Sequence, residues 1–362
     1  MTPCLPDEIV DADLALHSLF QRVVFSRYLN PVNVEEARQD FLAGSDAPPF
    51  QYIRPEWAPD ALALLNRIRV PTSHPFGPLL QDAVVSTRLL VEALQDRSKS
   101  AFDDLLEYNQ WRPDSQLMTE AQNQVRKGES YPFVLDANAL KTALEGALVE
   151  RDMLEWRVEL DPVMSARVLV DSAKKVLRVN ATARFRQRDP KKLIAHEIDV
   201  HALRSNNGQN QELLLFSTGL PGSLETEEGL ALYAEECVGA ASPGMAWRQG
   251  LVVQAVAWAE TMGFRELFER LAERGGRPLA WGISLRVKRG LKNPGEPGVY
   301  GKDVVYFRGL RTVRNWLANG GGLANLYVGK VGVHHPISEW LDAGLIQPGT
   351  LPQLFDNVRD NA

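Results

Sequence analysis

Apolar residues recur at helical spacing through the first 150 positions. Stretches 11–27, 33–42, 59–68, 79–94, 101–108 and 140–148 each carry such a stripe. Asn30-Pro31 parts the first two, and proline-rich breaks at 47–49 and 70–78 part others. The pattern then changes. Residues 156–160 (WRVEL), 167–170 (RVLV) and 176–179 (VLRV) are short runs rich in β-branched residues, bounded by turn-forming residues. They predict a small sheet. Asp189-Pro190 next sets an N-cap before a proline at the first helical position, predicting a helix over 190–205 that Asn206-Asn207-Gly208 should end. After Gly219-Leu220-Pro221-Gly222, Thr226 reads as the cap of a helix over 226–238. Helical patterns return at 245–262, 264–274, 283–289, 304–317 and 338–341. The expectation is an α+β fold, predominantly helical, with helices around a small central sheet. A helical region 1–150 should join residues 151–362 in one compact unit.

Composition narrows the class. The chain has 362 residues, 44% of them hydrophobic and 24% charged, as in ordinary globular proteins. The net charge of −6 argues against a nucleic-acid binder. Two cysteines, Cys4 and Cys237, are too few for a disulfide framework. The first residues lack a basic start followed by an apolar run, so no secretory leader is expected. Nor is there an apolar run of about 18 residues, so no membrane span is expected. A cytoplasmic setting fits these features.

Candidate chemistry centres on KLIAHEIDVHAL, where His196-Glu197 is followed by His201 as HExxxH. In the better-known HExxH, histidines at i and i+4 share one helical face and bind zinc. At i, i+5 an ideal α-helix would separate them by about 140°. A π-type turn brings them back into line, so a metal role predicts a wound-out turn near Ile198–Val200. An open zinc site uses three protein ligands. The third could come from the acidic segment 226–231 (TEEGLA), where Gly229 inside a first helical turn hints at close approach by another element.

Several separated segments carry a resemblance. HEIDVH at 196–201, Asn207-Gly208, FSTGLPGSLETEE at 216–228 and GLALYAEE at 229–236 resemble the tyrosine carboxypeptidase-like metallopeptidases. That family includes microtubule-associated tyrosine carboxypeptidases and bacterial proteins with a Gln-Glu-Gly-Leu-Ala motif, here Glu227-Glu228-Gly229-Leu230-Ala231. YLNPVNVEEARQDFL at 28–42, DVVYFRG at 303–309 and LYVGKV at 326–331 are similar too. The resemblance implies a zincin-like core with one zinc ion on His196, His201 and Glu228, and Glu197 as general base. Two positions depart from the pattern. Glu227 replaces the usual glutamine, which keeps Glu227 as a fallback ligand, and Asp199 replaces a glycine.

The implied activity is removal of a C-terminal residue, an aromatic such as tyrosine, from a peptide or protein. A non-catalytic metal-binding regulator and an endopeptidase are the alternatives. Three ligands leave a position for water, whose proton Glu197 would accept and pass to the leaving amine. Tyr306, Arg204 and His335 are candidates to polarise the carbonyl oxygen. Arg308 and Lys330 are candidates for the terminal carboxylate. The strand 176–179 could offer its edge to substrate backbone. Residues 174–192 carry eight basic side chains against Asp189 alone, so the substrate could be acidic, with Arg178 the chosen contact.

Overall fold

All three β-branched runs form strands, and together they make one sheet. In the computed structural model, which describes residues 5–126, 131–162, 164, 166–242 and 244–355, its order is Arg157–Asp161, Val176–Asn180, Val168–Asp171. The first pair is parallel and the second antiparallel. Val176–Asn180 is therefore the central strand, hydrogen-bonded on both sides. Its edge is not available to a substrate, contrary to the sequence expectation. The free edges belong to its neighbours, and Val168–Asp171 is the strand that packs on the helix bearing His196. Phe133–Leu135 and Phe185–Arg186 pair as a second, two-stranded ribbon.

Helices supply the rest. The expected N-terminal stripes appear as Asp7–Arg22, Val34–Leu42, Ala58–Arg67, Gly77–Asp96, Lys99–Tyr108 and Ala137–Glu150. Phe25–Leu29 is separate from the first of these, and Ser115–Gln122 is an additional helix. Two large hydrophobic cores draw on both halves of the chain. One joins Ile9, Leu16 and Leu80 to Phe216, Leu230 and Tyr327. The other joins Phe41 and Phe102 to Phe264, Phe268 and Val304. A third core lies between the Ala137–Glu150 helix, the sheet, and Ile198 and Ala202 of the histidine-bearing helix. Among the described residues, no helix is long and apolar enough to cross a membrane. Cys237 is a free thiol, and Cys4 lies outside the described residues.

Three boundary expectations fail for packing reasons. Asp189 lies inside the helix Asp189–Leu193, with Arg188 at the cap position. The aspartate instead accepts from the Arg186 amide at 3.0 Å and from Arg167 at 2.6 Å. Asn206-Asn207-Gly208 do not stop the helix, which runs on to Gln209. A Cβ at Gly208 would lie 2.2 Å from the Phe216 carbonyl oxygen, and Asn207 donates to the Tyr327 and Thr350 carbonyls. These residues serve close packing rather than termination. Thr226 is likewise internal to the helix Ser223–Cys237, which starts after Gly222.

Asp13 ties the first helix to a distant loop. It is buried, and its carboxylate accepts from the amides of Leu214 at 2.7 Å and Leu215 at 2.9 Å. Burial raises its pKa to about 6, outweighing those two bonds. An acid whose folded pKa is raised holds its proton more tightly in the native state. The stability that Asp13 contributes is then fully present below about pH 4 and is lost as pH rises through 6, by roughly 2–3 kcal/mol. Asp13→Asn should remove that slope, so the difference in urea midpoint between variant and wild type should change between pH 4 and pH 7. A constant difference would contradict the assignment.

Candidate metal centre

The histidine pair sits on a stretch of wound-out helix. Ile194–Ala202 is a π-helix between the α-helical segments Asp189–Leu193 and Leu203–Gln209. With i→i+5 bonding, residues five apart return to one face. The rings of His196 and His201 accordingly lie with centroids 4.8 Å apart and planes at 79°. Glu197 is buried next to them, and ligand atoms of His196, Glu197 and His201 fall within 4.8 Å of one another.

The Ser223–Cys237 helix packs across this segment and brings three glutamates to it. Glu228 Oε2 lies 3.8 Å from His196 Nε2 and 3.7 Å from His201 Nε2. Tetrahedral zinc bonds of about 2.0–2.2 Å put ligand atoms roughly 3.3–3.5 Å apart, so the three atoms are near the required spacing. The same Oε2 is buried and has no hydrogen-bond partner. A buried orphan acceptor facing two imidazole nitrogens fits a cation. Glu227 points elsewhere. It meets His201 Nδ1 at 2.7 Å and Lys330 Nζ at 3.0 Å, and it pairs with Arg204. Burial disfavours its charge, but Lys330 and Arg204 overcome that and hold its carboxyl well below the usual range. Between the two glutamates that the sequence left as ligand and fallback, only Glu228 faces both Nε2 atoms.

A glycine contact makes this approach possible. A Cβ at Gly229 would lie 2.1 Å from the Gly309 carbonyl oxygen, and one at Gly309 would lie 2.1 Å from that of Glu225. The Val304–Ala318 helix thus crosses the glutamate helix backbone to backbone beside Glu228, and it carries Tyr306 into the site. Gly229→Ala should push the helices apart and cost about 1–3 kcal/mol, read as a lower thermal midpoint. An unchanged midpoint would contradict the tight crossing.

Of the three carbonyl-polarising candidates, only Tyr306 faces the centre. Burial, and then the Glu228 carboxylate opposite its hydroxyl, lift its pKa well above that of an ordinary phenol. Arg286 lies 5.9 Å from its ring centroid and grips Asp303 through two bonds of 2.7 and 3.0 Å. Arg204 is wholly buried and fully engaged. It donates to the Leu326 carbonyl at 2.7 Å, the Val331 carbonyl at 2.6 Å, and Glu227. His335 accepts from the Gly332 amide at 2.8 Å and bonds the Pro221 backbone, and its ring stacks on Trp340. It ties two loops together. Burial, and then His334, push its pKa down to about 3, so it is a neutral imidazole.

The carboxylate-binding candidates are also engaged. Arg308 holds Glu225 at 2.5 Å and the Gln110 carbonyl at 2.7 Å. Arg178 is surrounded by Glu159, Asp161 and Asp171 of its own sheet. Lys330 is committed to Glu227, although it also lines a cavity of about 340 Å³. Phe20, Phe25, Trp111, Tyr300 and Lys302 contribute to that cavity. Burial lowers the pKa of Lys302 against the pull of Glu228 and Asp303. Arg248 stands among other cations. Loss of surrounding water, then Arg286, Arg167 and Arg186, lower its pKa. Lys302 and Arg248 carry no spacing signal in the sequence. Glu235, which meets His196 Nδ1 at 2.9 Å, does carry one: it follows Glu228 by seven residues, two turns along the same face.

Comparison with known proteins bears on this arrangement. Residues 61–362 match the family model described as microtubule-associated tyrosine carboxypeptidase. The chain belongs to that family. It is 32% identical over 163 residues to the microtubule-associated tyrosine carboxypeptidase 1 of Mus musculus, covering 43% of this chain and 34% of that protein. With the Homo sapiens protein of the same name it shares 30% over 155 residues, covering 41% and 32%. The chain therefore matches about a third of the length of these curated relatives. Family membership agrees with the sequence resemblance, and it spans both the histidine and the glutamate helices.

Proposed function

We propose that the chain is a zinc-dependent metallopeptidase, a carboxypeptidase that removes one C-terminal residue from a peptide or protein. The observation that carries this reading is the convergence of His196 Nε2, His201 Nε2 and an orphaned Glu228 oxygen beside a buried Glu197. It implies a zincin-like core whose metal helix is wound out rather than regular. Two imidazoles and one carboxylate suit zinc and leave a coordination position open. Zinc bound there would supply Lewis acidity and lower the pKa of a coordinated water to about 7. Glu197 accepts the water's proton and delivers it to the leaving amine. Tyr306, held beside Glu228 with its phenol kept protonated, donates to the developing oxyanion. Arg204 and His335 take structural roles instead.

The substrate reading draws on a cavity that adjoins the centre through Glu227, although the proposed ligands do not line it. The family name supports a C-terminal aromatic residue, and a cavity lined by Phe20, Phe25, Trp111 and Tyr300 suits one. Lys302, in the same cavity and close enough to feel the Glu228 charge, replaces Arg308 and Lys330 as our candidate for the terminal carboxylate. An acidic segment before the cleaved bond would meet Arg248 and Arg186 rather than Arg178, whose charge its own sheet neutralises.

The test is a set of peptides with free and amidated C-termini, incubated with zinc-loaded protein and read by mass spectrometry. Loss of a single C-terminal residue, blocked by amidation, is expected. Internal cleavage would make the protein an endopeptidase. Full zinc occupancy with no cleavage of any peptide would contradict an enzymatic role. Lys302→Met should raise KM by about 10-fold or more through loss of a charge-assisted bond, with a smaller change in kcat. An unchanged KM would remove Lys302 from the carboxylate site.

A further inference from the structure

We propose that Glu235 is the positioning residue of the metal centre. It fixes the orientation and tautomer of His196 and sets how tightly the ion is held, whereas Glu227, the corresponding carboxylate on His201, is bound into the fold. This inference rests on the zinc reading given above.

Both histidines meet a glutamate of the same helix through Nδ1, His196 with Glu235 at 2.9 Å and His201 with Glu227 at 2.7 Å. A carboxylate can only accept there, so each Nδ1 carries a proton, and in the neutral ring that binds a cation the Nε2 lone pair is then on the side of Glu228. One helix thus delivers the third candidate ligand and both supports. Outer supports of this kind hold the ring in place and raise the basicity of the ligating nitrogen.

The two supports differ in what else they touch. Glu227 faces two cations, Lys330 at 3.0 Å and the fully buried Arg204, which also reaches two backbone carbonyls. Its charge is neutralised from both sides. Glu235 is just as deeply buried, at 1% exposure. Besides His196, the one cation that approaches it among the described residues is Lys192, at 3.3 Å, from a partly exposed position. That contact does not complete a hydrogen bond, and Glu235 Oε2 is left without one. The less neutralised carboxylate exerts the stronger pull on its imidazole proton. It is therefore Glu235 that makes its histidine the better donor to a cation.

The test is competition for zinc between the metal-free protein and a chromophoric chelator, with thermal unfolding of each metal-free protein alongside. Wild type, Glu235→Gln and Glu227→Gln are compared. Glutamine keeps the shape and one acceptor oxygen, so it removes charge with little change in volume. Glu235→Gln is expected to weaken zinc binding by about 10- to 100-fold while the metal-free midpoint stays at the wild-type value. Glu227→Gln is expected to lower the metal-free midpoint, because Arg204 and Lys330 lose their shared counter-charge, and to change zinc affinity less. Wild-type zinc affinity in Glu235→Gln overturns the inference alone. So does a loss of affinity accompanied by an equal loss of metal-free stability, which marks a purely structural role. Failure of the wild-type protein to bind zinc overturns the zinc reading and this inference with it.

Discussion

Glu197→Gln is expected to lower peptide hydrolysis by about 10²- to 10⁴-fold while leaving zinc content and thermal midpoint unchanged. Glu197 is buried within 4.8 Å of the ligand atoms of both histidines, and the π-turn points it to the same side of the helix. The amide of glutamine fills the same space but cannot accept a proton and return it to a leaving amine. Loss of turnover without loss of metal therefore assigns proton transfer to this residue. Loss of zinc together with turnover would instead make Glu197 part of the coordination set, and undiminished turnover would remove it from the chemistry.

Arg204→Met should destabilise the protein by about 3–5 kcal/mol, as expected when one partner of a buried ion pair is removed. The guanidinium has no solvent exposure, and its three nitrogens serve Glu227 and the carbonyls of Leu326 and Val331. These bonds join the histidine helix, the glutamate helix and the 326–331 segment. Urea unfolding of the metal-free proteins measures the loss. If Arg204 acted on substrate instead, the variant would keep its stability and lose kcat, and that outcome would contradict the structural role.

The histidine helix was legible for a simple geometric reason. Five-residue spacing cannot serve one ion from a regular helix, so a metal role required the π-turn that is found at Ile194–Ala202. Gly229 was legible too, since a glycine inside a helix beside an acidic pair suggested close approach, and Gly309 is what approaches. The three strands were marked by β-branched runs, but their order was not. Nothing in the composition of 176–179 distinguishes a central strand from an edge strand. Thr226 and Asn206-Asn207-Gly208 misled because capping and breaking residues were used for tertiary contacts, the threonine accepting from the Val333 amide. The arginines and Lys330 misled for a common reason. Sequence shows that a cation exists, whereas only the fold shows whether a carboxylate already neutralises it. Arg178, Arg204, Arg308 and Lys330 all have such partners. Lys302 and Arg248, carried by the separate segments Gly301–Asp303 and Met245–Ala259, had no local signature.

In the function we propose, His196, His201 and Glu228 hold one zinc ion in an open site. Anomalous diffraction at the zinc edge from crystals of the zinc-loaded protein tests it most directly. We expect one peak per chain, about 2.0–2.2 Å from both Nε2 atoms and a Glu228 oxygen, with a non-protein ligand completing the shell. A peak bound through Glu227, a shell closed by a fourth protein ligand, or no peak at this position would contradict the account.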